Sequence, residues 1–99
     1  MDGDRKVESL VFSGHATRQM FALCITVDEV KSVVDAGEVI DAYPDDKPFP
    51  SELRLGLCSG RPLHVVLAYD DANRICYIIT TYVPDPNLWS DDFKSRRKS

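Results

Sequence analysis

The hydrophobic period changes at Gly37, and that change fixes the order of elements this chain can build. Before it, Val27, Val30, Val33 and Val34 recur at helical spacing behind Thr26-Val27-Asp28-Glu29, a capping box, and Gly37 supplies a C-terminal stop. Upstream, Ser13 is placed to cap a helix running to about Leu23, with His15, Arg18 and Gln19 on one face. After Gly37 the period is that of strands. Glu38 to Tyr43 reads as a strand closed by Pro44, and three prolines in the eight residues Pro44 to Ser51 require an irregular loop. Leu53, Leu55 and Leu57 then alternate with Arg54, Gly56 and Cys58, a strand with one apolar face. Gly60-Arg61 turns into the strand Pro62 to Tyr69, and Asp70 to Asn73 connects it to Arg74 to Tyr82, read as the longest strand and a central one. Pro84-Asp85-Pro86 ends the strands, and Trp89 and Phe93 are expected to fold back as anchors.

The expected fold class is α+β, with two N-terminal helices packed on one face of a four-stranded antiparallel sheet and the other face open. The short apolar run Val7 to Phe12 is assigned to no element. A chain of 99 residues, 43% hydrophobic, supports one core, so residues 1–93 read as a single domain and 94–99 as a basic flexible tail.

Composition narrows the function. No apolar stretch is long enough to span a bilayer and the N-terminus lacks a signal-peptide core, so a cytosolic protein without membrane partners is expected. Cys24, Cys58 and Cys76 form neither a disulfide framework nor a zinc-ribbon spacing; they read as buried or half-buried small hydrophobes, and no metal or cofactor is called for. The formal charge is -4, and setting aside Lys94, Arg96, Arg97 and Lys98 leaves eight basic against sixteen acidic residues, a body at -8. Such a body disfavours generic nucleic-acid affinity, which rests on neutralising phosphates.

His64 is the residue that invites a functional question. Strand alternation sends Leu63, Val65, Leu67 and Tyr69 to the core and leaves His64, Val66 and Ala68 on the second face. Arg54 is expected beside them, with either Thr80 and Tyr82 or Thr81, depending on register. Metal-independent RNA cleavage needs a base, an acid and a cation beside the phosphate. His64, His15 and Tyr82 are the catalytic candidates, and Arg18, Arg54, Arg61 and Thr80 the substrate-binding ones. The plainer reading, and the commoner situation, makes His64 a strand residue hydrogen-bonded to a neighbour. A zinc site from His15, His64 and a cysteine lacks local ligand spacing.

The motifs Ser13-Gly14-His15-Ala16-Thr17-Arg18-Gln19-Met20, Gly37-Glu38-Val39-Ile40, Tyr43-Pro44-Asp45-Asp46, Pro50-Ser51, Leu55-Gly56, Arg61-Pro62-Leu63-His64-Val65 and Ile79-Thr80-Thr81-Tyr82-Val83-Pro84-Asp85-Pro86, with Trp89 after them, resemble in order and spacing the bacterial domain-of-unknown-function 4258 family, over about residues 10–90. The resemblance implies a fold similar to the RelE and BrnT type of small toxin and a zinc-finger antitoxin of the MqsA type as partner. By analogy it implies a ribonuclease toxin of a toxin-antitoxin pair. The chain departs from the family at Phe21-Ala22-Leu23-Cys24, where members commonly carry Arg or Lys followed by Gly. The alternative is a non-catalytic protein-binding module that uses the open sheet face or a sheet edge. A homodimer stays open.

Overall fold

In a computed structural model, residues 9–97 are described, and their elements in order are β1 (Ser9–Phe12), α1 (Gly14–Leu23), α2 (Val27–Ala36), β2 (Glu38–Tyr43), β3 (Ser51–Cys58), β4 (Arg61–Asp70) and β5 (Ile75–Tyr82). Both helix starts are written locally. Ser13 Oγ accepts the Ala16 N–H at 2.9 Å, and Thr26 and Glu29 exchange reciprocal bonds of 3.1 and 2.9 Å that close the capping box. The helix ends differ. Cys24 ends α1 in the left-handed region at φ 56°, where a residue with a Cβ is uncommon. Gly37 ends α2 in extended backbone, and glycine is required there by space: a Cβ would stand 2.5 Å from the Val33 carbonyl oxygen.

The sheet has five strands in the order β1-β5-β4-β3-β2, and β1 runs parallel to β5. The expectation of four antiparallel strands is therefore corrected to a mixed five-stranded sheet within the same α+β class. The four residues of β1 are too few to display a period of two, and their partner begins at Ile75, far along the chain. The longest and central strand is β4, with ten residues to the eight of β5.

Leu63, Val65 and Leu67 are fully buried against the helices, packed with Ala16, Met20, Val30, Val33, Cys76 and Ile78. Each such side chain contributes roughly 1.5–3 kcal/mol by leaving water. On β3 the helix-facing row is Arg54, Gly56 and Cys58, because Arg54 pairs with Val65 and Leu55 with His64. Glycine at 56 lets β3 approach α2, since a Cβ would lie 2.7 Å from Val33 Cγ2. Leu53, Leu55 and Leu57 thus share the second face with His64, and Arg54, expected there, lies on the opposite one.

That second face is covered around His64, where an open face was expected, and stays exposed toward Leu57. Residues 84–97 turn back over it: the Leu88 and Trp89 N–H groups donate to Asp85 O, Trp89 and Arg96 form an antiparallel bridge, and the Ser90 and Arg97 N–H groups donate to Ser95 O and Leu88 O. Trp89, 7% exposed, is its anchor. From residue 94, where a free tail was expected, Lys94 pairs with Glu38 at 3.0 Å, Arg97 with Asp91 at 2.8 Å, and the Arg96 guanidinium stands 5.5 Å over the Trp89 ring. Residues 1–8, which include the start of the Val7 to Phe12 run, and the last two tail residues, Lys98 and Ser99, lie outside the described residues. Cys58 and Cys76 are buried, but Cys24 is exposed, because its cap position faces outward. Among the described residues no helix is long and apolar enough to cross a membrane.

Candidate functional site

Register places Tyr82 of β5 opposite His64 on one side and Leu55 of β3 on the other. Thr81, on the reverse face, donates its hydroxyl to the His64 carbonyl at 2.8 Å and fixes the strand there. The imidazole is fully buried, with Nε2 2.8 Å from the Phe93 carbonyl oxygen and Nδ1 3.2 Å from the Tyr82 hydroxyl. A carbonyl only accepts, so the network assigns the proton to Nε2 and leaves Nδ1 to accept from Tyr82. Trp89 meets the ring edge to face at 4.4 Å and Tyr82 at 5.2 Å.

Burial holds the His64 pKa below its ordinary value of 6.5, with the Phe93 carbonyl acting in the opposite sense, so the ring is neutral at pH 7. Burial raises the Tyr82 pKa above 10, against the pull of the Arg96 charge, so the phenol keeps its proton and donates it. Tyr82 itself is only half-buried.

The acceptor for Nε2 is built by an irregular loop. Phe93 has φ 62°, in the left-handed region, and its own N–H donates to Ser90 O at 2.8 Å. Asp92 ties the loop together by accepting from Ser90 Oγ at 2.6 Å and from the Lys94 N–H at 3.0 Å. These bonds lower the Asp92 pKa, the Ser90 hydroxyl most of all.

Of the seven residues expected at a site, His64, Tyr82 and Thr80 come together; Thr80 pairs with Val66 and is half-buried. His15 and Arg18 are exposed on α1, on the other side of the sheet, so the two histidines do not meet. Arg54 Nη1 donates to Val34 O at 2.8 Å, and its Nε pairs with Glu52. Arg61 donates to Leu23 O at 3.0 Å, to Cys24 O at 3.2 Å and to Glu29 at 3.2 Å, satisfying carbonyls left open at the end of α1. The Thr26 backbone bond, more than Arg61, holds the Glu29 carboxyl below its usual pKa. Both guanidinium groups therefore serve the fold. Arg96, seated over Trp89, is a cation on this face whose charge reaches Tyr82, and the sequence reading missed it among the tail residues. Its signal was the basic cluster within a few residues of two aromatic anchors.

The result is a hydroxyl-imidazole-carbonyl chain, Tyr82 Oη to His64 Nδ1 and His64 Nε2 to Phe93 O, in which a base oriented by a third group holds an ionisable hydroxyl. Among the described residues no three His, Cys, Asp or Glu side chains gather as they would around a metal ion.

No curated protein and no solved structure matches this chain. A family model does match, over residues 12–83, which takes in both helices, β2 to β5, His64, Thr80 and Tyr82, and stops short of Trp89, Phe93 and Arg96. That span is well over half of the sequence, and the chain belongs to the family described as Domain of unknown function (DUF4258).

Proposed function

We propose that this chain is a toxin-like, metal-independent ribonuclease of a toxin-antitoxin pair, acting in the cytosol, with a RelE-like sheet as its platform and a zinc-finger antitoxin as its partner. One observation carries the reading: the Tyr82 hydroxyl rests on a neutral His64 whose far nitrogen is tied to Phe93 O. Because His64 is sealed, Tyr82 Oη is the atom that meets RNA. The 2′-hydroxyl proton passes to Tyr82 Oη as the proton of Tyr82 passes to His64 Nδ1. The freed 2′-oxygen attacks phosphorus, the 5′-oxygen leaves with a proton from water, and the hydroxide so formed takes up the proton that His64 Nδ1 returns through Tyr82. Arg96 offsets the charge gathering on phosphate, Thr80 offers a hydroxyl, and His64 positions Tyr82 while serving as proton acceptor. RNA affinity is local to Lys94, Arg96 and Arg97, since the remainder of the chain is acidic.

The test is cleavage of single-stranded RNA by purified chain free of any partner. Wild type is expected to leave 2′,3′-cyclic phosphate ends, and Tyr82→Phe to lose about a hundredfold or more of the rate, with its melting temperature little changed. Intact RNA with the wild type would end this reading.

A second reading, a non-catalytic protein-binding module, is favoured by the full burial of His64 and by the use of Arg54 and Arg61 on backbone carbonyls. Under it His64 is a clasp for residues 84–97, the part of the face they cover is no docking surface, and binding falls to an edge of the sheet.

A further inference from the structure

β2 is an outer strand, and among the described residues it pairs only with β3, so one row of its backbone N–H and C=O groups faces outward. Its side chains leave room for a neighbour: Val39 is 44% and Tyr43 40% exposed. Residues 35–46 hold Asp35, Glu38, Asp41, Asp45 and Asp46 and no lysine or arginine. Glu38, Asp41 and Tyr43 share the second face, opposite Leu55, Leu53 and Ser51, while Val39 and Ala42 face the helix side. A second copy of this edge would bring carboxylates against carboxylates. The edge therefore rejects itself and selects a strand of opposite charge.

At the Glu38 end a groove of about 490 Å³ opens between Leu55 and Leu57 of β3 and the loop Asp91 to Lys94. Its floor is apolar, with Leu57 72% exposed, and Glu38, Asp91 and Asp92 stand at its rim. A long aliphatic stem ending in a cation suits such a groove, because its methylenes lie on leucine while the charge reaches the rim. The chain displays this recognition itself, with Lys94 Nζ 3.0 Å from Glu38 Oε1. That pair is exposed, so an incoming arginine or lysine exchanges with Lys94 at little cost.

We propose that the β2 edge and the groove at its Glu38 end dock an extended basic segment of a partner protein, which adds as a sixth strand and places one cationic side chain in the groove. The partner alternates cationic and apolar residues, matching Glu38 and Asp41 on one face and Val39 on the other. The β2 edge holds neither Tyr82 nor His64, the groove meets the surroundings of His64 at Leu55, Phe93 and Lys94, and the docking stands whether or not the chain cleaves RNA.

The experiment uses the full chain and two fluorescein-labelled hexapeptides, one alternating lysine with valine and one alternating glutamate with valine, with binding followed by anisotropy and backbone-amide NMR. The lysine peptide is expected to bind, with shifts confined to Glu38–Tyr43, Leu55–Leu57 and Asp91–Lys94, and its affinity is expected to fall with added salt. Glu38→Lys combined with Asp41→Lys is expected to weaken it about tenfold or more, with amide shifts away from β2 unchanged as proof of folding. Equal binding of the two peptides, shifts mapping elsewhere, or full affinity in the charge-reversed variant would overturn the proposal. Sedimentation showing that β2 pairs with a second copy of the chain would also overturn it.

Discussion

The two faces of the sheet are covered by different means. On one, α1 and α2 lay periodic apolar rows on Leu63, Val65, Leu67 and Ile78, and hydrophobic burial does most of the work, with Arg54 and Arg61 adding bonds from the strands to helix carbonyls at its margin. On the other, the irregular segment 84–97 has no repeat to bury and is held at points: Trp89 against the His64 ring, Phe93 O on Nε2, and the bridge from Trp89 to Arg96. A helix covers a sheet by pattern, whereas a loop covers it by anchors. Directional anchors require a polar group in the buried face, and His64 is that group, with both nitrogens engaged.

The contrast is broken most severely by cutting one anchor from each face. Trp89→Ala and Leu67→Ala should each cost roughly 3–5 kcal/mol in denaturant unfolding, from lost burial and the cavity left behind. Hydrogen exchange should separate them: Trp89→Ala deprotects amides in 84–97 alone, and Leu67→Ala lowers protection across the whole sheet. Equal, global deprotection by both would mean that the second cover is as cooperative as the first.

A smaller effect sharpens the role of the clasp. His64→Leu leaves the Tyr82 hydroxyl and the Phe93 carbonyl without their shared partner, at a cost of about 1–3 kcal/mol. The pH dependence is more telling. The folded ring has a pKa below 6.5 while the unfolded chain takes up its proton near 6.5, so the unfolded state binds more protons in the interval between. The contribution of His64 is therefore full above pH 6.5 and is lost as pH falls from there toward the lower folded value. Wild-type melting temperature should drop across that window, and His64→Leu should remove this part of the slope. An identical slope in both proteins would show that His64 does not titrate on unfolding.

The smallest expected change lies on the periodic face. Ser13→Ala removes one capping acceptor and should cost about 1 kcal/mol, read as a modest drop in melting temperature with no change in its pH dependence. A loss as large as that at Trp89 would mean that Ser13 Oγ, which also donates to Ile79 O at 2.7 Å, fastens α1 to β5 as well as capping it.

Much of this architecture was legible because its causes are local. Ser13, the Thr26 capping box, the turn after Cys58 and the alternation through Leu63 to Tyr69 act within a few residues, and the helices and β2 to β5 follow from them. β1 was not legible, since four residues acquire meaning only by pairing with β5. Nor was the side taken by Arg54: alternation says that it opposes Leu53 and Leu55, but only the register with β4 says which row meets the helices.

The sequence by itself determined the order of the two helices and of β2 to β5, the core row of β4 and the place of His64 on the opposite row, because caps, turns and period are short-range properties of the chain; that Tyr82 shares the face of His64 came from the register of β5. Tertiary structure alone decided what those side chains do. It buried His64 under Trp89, gave its nitrogens to Tyr82 and Phe93, assigned Arg54 and Arg61 to helix carbonyls and seated Arg96 over Trp89. Those contacts join residues remote in sequence, and a non-periodic segment leaves no trace of the surface it will cover until the sheet exists.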